Sequence, residues 1–136
     1  MRATAPPDDG VGPFERGGAG DSTGRSDHAV PRYRQALDLG LPGERRRRAV
    51  IQLASSLRNL GRADESVALL EAEVGRGSDH LDDAVCGFLA LALADAGRER
   101  EALGLALSAL APHLPRYQRS MANYADALVE EQPAAE

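Results

Sequence analysis

A small set of side chains in this sequence has the chemistry for catalysis or metal binding: three histidines, one cysteine and a cluster of aspartates. His80 lies inside the segment 79–83, which also carries three aspartates. Nitrogen and carboxylate donors so close together are the ligand types of a metal site. No second histidine stands at ligand spacing, and acids are favoured where a helix begins. We therefore expect this segment to cap a helix, and we predict no metal.

No nucleophile is paired with a base in the sequence. His28, His80 and His113 each fall at a predicted helix end, where capped or solvated histidines are common. Cys86 falls in an apolar stripe and is expected to be a buried small hydrophobic residue. The glycine-rich stretch 17–20 is not followed by Gly-Lys-Ser/Thr, so it is no phosphate loop. The sequence predicts a protein that is not an enzyme and needs no cofactor.

Arginine and asparagine offer chemistry for binding peptides. A guanidinium group such as that of Arg58 clamps a carboxylate with two hydrogen bonds, and the amide of Asn59 can bond a peptide backbone. The run Arg45–Arg48 covers a full helical turn, so it cannot face one direction. We expect it to be solvated, with the buried side of the helix beginning at Ala49 and Val50. The functional alternative is that Arg48 contacts an acidic peptide or another anion.

The elements that position these residues are amphipathic helices. The segment 50–73 reads as two helices that meet at Gly61, each with apolar residues three or four positions apart. Helices this short are marginal in isolation, so they must pack on neighbours. The order of stripe, glycine, arginine, acids and stripe recurs around Gly97 and, upstream, around Gly24. These Gly-Arg turns lie 37 and 36 positions apart, which indicates a repeat protein.

The pattern resembles the tetratricopeptide repeat (TPR), a helix-turn-helix unit of about 34 residues with the signature W-x₂-L-G-x₂-Y…A-x₃-F. The residues in its first-helix slots are Val50, Leu53, Ala54 and Leu57 in one unit and Cys86, Leu89, Ala90 and Leu93 in the next. Ser66 and Leu70 take the second-helix slots of the middle unit. From Phe14 to about Glu131, the amino-acid sequence is similar to the small bacterial TPR group numbered five.

The resemblance implies an all-α fold, an α-solenoid of about three helix-turn-helix units plus a C-terminal helix in a right-handed superhelix. We expect a disordered tail over residues 1–12, a repeat domain over 13–131 and a frayed end over 132–136. The predicted units span about 13–43, 44–79 and 80–115, and the terminal helix spans 116–131. The glycine-rich segment 14–23 takes the place of the first unit's opening helix and is expected to be irregular.

In TPR proteins the first helices of successive units line a concave groove that receives an extended or helical peptide. By slot, the resemblance places the following residues in that groove: Arg48, Ile51, Ser55, Arg58, Asn59, Leu91 and Asp95. It therefore implies a non-catalytic module that binds a protein or peptide partner. The slots that hold a lysine and an asparagine in chaperone-tail binders are occupied here by Phe14 and Gly18, which does not favour that class of ligand.

Two alternatives stay open on the sequence alone. The predicted terminal helix presents Met121, Tyr124 and Leu128 without a closing partner helix, so this face could support a homodimer. A ligand-sensing regulatory domain of a signalling system is the other alternative.

Composition narrows the classes of partner and the compartment. The net charge is −5, aromatic residues make up 4% and there is one cysteine. An acidic chain with few aromatics does not suit nucleic acid, and one cysteine forms no internal disulfide. The longest apolar run, 88–94, falls short of the roughly 20 residues of a membrane span, and the first ten residues lack a signal-peptide core. We expect a cytoplasmic protein that binds neither nucleic acid nor membrane.

Overall fold

The computed structural model describes residues 26–130, and the expectations for residues 1–25 and 131–136 lie outside the described residues. The described part of the chain is all-α. Its helices are α1 (Ser26–Asp38), α2 (Gly43–Asn59), α3 (Ala63–Val74), α4 (Asp82–Asp95), α5 (Glu99–Leu110) and α6 (Gln118–Glu130), with a 3₁₀ turn at Ala111–His113. The apolar stripes on either side of Gly61 and of Gly97 therefore lie in helices, as predicted. The terminal helix begins two residues later than expected, after Tyr117, whose φ of 71° does not continue a helix.

Each helix packs on the next helix along the chain, and α2 also packs directly on α4. The fold is thus a solenoid of antiparallel helix pairs in which α2 and α4 lie side by side. Two apolar clusters form the core. One joins α1 to α2 around the fully buried Tyr33 and Leu57, and the other joins α2, α3, α4 and α5 around Leu70 and Val85.

Gly61 and Gly97 end α2 and α4 in the same way, as predicted. Their φ angles are 78° and 83°, a left-handed conformation that glycine adopts without a Cβ clash. The amide of the residue after each glycine donates to the carbonyl five residues earlier, at 2.9 Å after Gly61 and 2.8 Å after Gly97. This is the Schellman pattern of helix ends. The arginine that follows each glycine pairs with a glutamate three residues on, Arg62 with Glu65 and Arg98 with Glu101.

A buried hydroxyl joins the two helices of the middle pair. Ser66 Oγ donates to the carbonyl oxygen of Ala54 at 2.7 Å, and neither residue is more than 1% exposed. The hydrogen bond satisfies both buried polar groups. In the next pair the corresponding position holds Ala102, which is buried without a polar group.

The apolar stripe of α4 differs by one residue from the prediction. Val85 is 1% exposed and belongs to the core, whereas Cys86 is only half-buried. Burial, with the nearby Asp83 and Asp82 carboxylates, raises the pKa of the Cys86 thiol. A raised pKa disfavours the thiolate, which is the reactive form.

Candidate protein-binding surface

The predicted binding residues lie on α2 and α4, and the structure links these two helices directly. Arg58 Nη1 donates to Asp95 Oδ2 at 3.0 Å, with 26% and 48% of the two side chains exposed. Leu91 stands one turn before Asp95 on α4, so it shares that face. It is 46% exposed, so it offers apolar area on this face. We call the exposed face formed by Arg48, Ser55, Arg58, Asn59, Leu91 and Asp95 the α2–α4 surface.

The remaining predicted residues are placed as follows. Arg48 and Asn59 are exposed and Ser55 is half-buried. Arg48 lies in the second turn of α2, and Asn59 is the last residue of that helix. Ile51 is 6% exposed and belongs to the core cluster, so it has little area to offer a ligand. The cause is that α2 packs against α1, α3 and α4, which widens its buried face.

Arg58 differs from the open clamp that the sequence suggests. One of its terminal nitrogens is already occupied by Asp95, and its Nε is buried without an acceptor in the described part of the chain. The exposed ion pair is a weak interaction by itself, since such pairs contribute about 0–1 kcal/mol. A ligand carboxylate that approaches Arg58 competes with a partner that is bound only loosely.

The prediction of a solvated arginine run is wrong for Arg47. This residue is 6% exposed, and its guanidinium reaches three carboxylates. Nη1 donates to Asp79 Oδ1 at 2.5 Å and to Asp82 Oδ1 at 2.7 Å, and Nε lies 3.3 Å from Glu73 Oε2. Glu73 is itself 3% exposed.

Arg46 completes this group by donating to both oxygens of Glu73, at 2.9 and 3.1 Å. We call Arg46, Arg47, Glu73, Asp79 and Asp82 the Arg47 cluster. It ties the start of α2 to the end of α3 and to the loop 75–81 that leads into α4. Its two guanidinium groups face three carboxylates, and each of these five side chains has a partner within the cluster, so the cluster holds the repeat junction together.

The aspartates of segment 79–83 are therefore used in ion pairs and in local capping. Asp79 Oδ1 accepts the amide of Leu81 at 2.8 Å, and Asp82 Oδ1 accepts the amide of Asp79 at 3.0 Å. Across residues 26–130, no group of three or more His, Cys, Asp or Glu side chains is arranged to hold a metal ion. His80 lies 3.4 Å from Glu44, and His113 lies 2.7 Å from Asp83.

Acid should weaken the junction through Asp82. Hydrogen bonds from the Ser78 hydroxyl, the Asp79 amide and Arg47 lower the pKa of this carboxyl from 3.8 to about 2. Because the folded-state pKa is the lower one, the stabilisation is present above pH 3.8 and is lost as the pH falls toward 2. Urea midpoints measured across this window should fall more steeply for the native chain than for Asp82→Asn. Parallel slopes for the two proteins would contradict this role of Asp82.

The described helices pair as antiparallel hairpins, and the glycine turns at Gly61 and Gly97 lie 36 positions apart, which is typical of a helical-repeat protein. The family model described as "Tetratrico peptide repeat" matches residues 10–128. The chain belongs to this tetratricopeptide repeat family. Comparison with curated proteins gives no match, and comparison with solved structures gives none either. Among the described residues, no helix is long and apolar enough to cross a membrane.

Membership of this family supports a role in protein–protein interaction and identifies no partner. Sequence reasoning missed the Arg47 cluster, although a signal was present. Arg47 lies three residues before Val50 and seven before Ala54, in line with the buried stripe. Its partners are 26, 32 and 35 positions away in the chain, and only the packing of the hairpins brings them together.

Proposed function

We propose that this chain is a non-catalytic interaction module that binds a peptide or a partner helix on the α2–α4 surface. The observation that carries the proposal is Leu91, an exposed leucine beside the Arg58–Asp95 ion pair. The leucine supplies apolar area, and the charged pair sets the register of the bound segment. A partner that buries Leu91 gains about 1.5–3 kcal/mol from that side chain.

Photo-crosslinking from the surface itself tests the proposal. Leu91 is replaced by p-benzoylphenylalanine, and the full chain is irradiated in native lysate. The matched control places the same probe at Leu103, a 51% exposed leucine on α5. A specific adduct from position 91 that position 103 does not give supports the α2–α4 surface. The same adducts from both positions, or none from position 91, would exclude it.

Binding of the captured partner should then depend on Arg58. Arg58→Ala removes the guanidinium and leaves Asp95 without its ion-pair partner. The hydrogen bond from this guanidinium to a carboxylate or a backbone carbonyl of the partner is therefore lost. We expect the dissociation constant measured by calorimetry to rise about tenfold, in line with the loss of a charge-assisted hydrogen bond. Arg76→Ala, which removes an exposed arginine in the loop after α3, outside this surface, is the control. An unchanged affinity in Arg58→Ala would remove Arg58 from the site.

Self-association through α6 is the second candidate function. Tyr124 is 72% exposed, and with the half-buried Met121 and Leu128 it forms one helical stripe on α6. Tyr117, just before α6, is 73% exposed. Two such stripes from two copies would bury each other around a two-fold axis. Light scattering at tens of micromolar should then give twice the monomer mass, and Tyr124→Ser should return it to the monomer. A native chain that is already monomeric at that concentration would dismiss this candidate.

A further inference from the structure

A second recess in the molecule lies away from the α2–α4 surface. It is a cleft of about 380 Å³ to which α3, α4, α5 and α6 all contribute residues. Its apolar part is formed by Leu89, Leu93, Leu105 and Val129. A cleft of this size is within the range that accepts a ligand or an amino-acid side chain with its neighbour.

The polar part of the cleft is acidic. Glu71, Glu101, Asp126 and Glu130 line it, and no arginine or histidine is among the lining residues. Arg98 compensates two of the four carboxylates, with its Nη2 2.9 Å from Glu101 and 3.6 Å from Glu71.

The other two carboxylates, Asp126 and Glu130 on α6, have no ion pair or hydrogen bond with another described residue. Arg100 is the cation that reaches this helix, and its Nε donates to the Leu128 carbonyl oxygen at 2.8 Å. The cleft therefore combines a hydrophobic floor with an excess of negative charge along one wall. This combination is complementary to a long cationic side chain, which buries its methylene stem while its charged head meets carboxylates.

We propose that this cleft binds a partner peptide through an arginine or lysine side chain next to an apolar residue. The stem and the apolar neighbour lie against Leu93, Leu105 and Val129, and the cation lies between Asp126 and Glu130. The site uses no residue of the α2–α4 surface, so it stands or falls independently of the function proposed above. It makes α6 a ligand-binding wall rather than only the end of the stack.

The test is a titration of the uniformly ¹⁵N-labelled full chain with acetyl-Leu-Arg-amide, followed by NMR. We expect shifts of the amides of Gly104, Ser108 and Val129, with a dissociation constant on the order of 1 mM, as suits a dipeptide. Acetyl-Leu-citrulline-amide has the same shape without the charge and should bind several-fold more weakly. Added salt should weaken the arginine peptide only.

Two charge-removing variants separate the cleft from the overall acidity of the protein. Asp126→Asn should weaken the arginine peptide about threefold to fivefold, the effect of losing one partly screened ion pair. Asp64→Asn removes the same charge from an exposed position on α3 that does not line the cleft, and it should leave binding unchanged. Both substitutions are on the surface, so both proteins should fold.

The proposal is overturned if the amides of the cleft do not shift, or if the citrulline peptide binds as well as the arginine peptide. It is also overturned if Asp64→Asn weakens binding as much as Asp126→Asn. Cleft shifts that appear on raising the protein concentration without any peptide would show a second copy as the occupant, and would likewise overturn it.

Discussion

Replacing Arg47 by alanine should lower the free energy of unfolding by about 3–5 kcal/mol, the cost of breaking a buried ion pair by removing one partner. The substitution leaves Glu73 3% exposed with only Arg46 to compensate it. Asp79 and Asp82 lose a shared donor at the same time. Since these carboxylates belong to α3, the loop 75–81 and α4, the damage falls on the junction between two repeats. Urea unfolding followed by circular dichroism measures the difference.

Arg45→Ala is the matched control for Arg47→Ala. Arg45 is two residues away on the same helix but exposed. Surface substitutions usually change stability by no more than about 0.5 kcal/mol. If the two variants were equally stable, the carboxylates would be rehydrated at no cost, and the Arg47 cluster would not hold the junction.

The second large effect is expected at Gly104, where α5 and α6 approach each other closely. A Cβ added at this position would lie 2.7 Å from Val129 Cγ2 and 2.9 Å from the backbone oxygen of Ala125. The valine can rotate, but the backbone of α6 cannot yield without moving the helix. Gly104→Ala should therefore destabilise the protein by about 1–3 kcal/mol, the usual cost of overpacking. Hydrogen exchange should show the loss first in the amides of α6.

Gly87→Ala provides the opposite result at a matched position. Gly87 is also helical, but it is exposed on α4 and a Cβ there meets nothing within 4 Å. Alanine favours a helix over glycine by about 0.5–1 kcal/mol, so this variant should be more stable than the native chain. If Gly104→Ala were as stable as the native chain or more stable, the close contact of α5 with α6 would not exist in solution.

The turns and helices could be predicted because they depend on local sequence. A glycine that follows an apolar stripe and precedes an arginine and an acidic residue specifies a helix end within a few residues, and Gly61 and Gly97 both do so. The stripes give the phase of each helix. They do not give the number of neighbours, and that number decides how wide the buried face is. Ile51 is buried because α2 has three neighbours, which no pattern within α2 reveals. Arg47 is in line with the stripe of α2, but its carboxylate partners are distant in the sequence.

The cleft could not be predicted for a similar reason. Its residues come from α3, α4, α5 and α6, and in the sequence they are spread from Glu71 to Glu130. The close approach at Gly104 could not be predicted either, because the α6 residues that it meets are more than 20 positions away in the sequence. Conversely, the TPR signature places Arg58 and Asp95 each in the groove, but it does not predict the ion pair between them.

The identical geometry at Gly61 and Gly97 bears on how such a chain can grow. Residues 62–97 begin and end at equivalent points, with matching dihedral angles, matching amide bonds and the same arginine–glutamate contact. A tandem duplication of this 36-residue cassette would join each copy to the next through a boundary that the molecule already contains. Such a duplication in the gene would thus add a complete helix hairpin without requiring a new linker sequence.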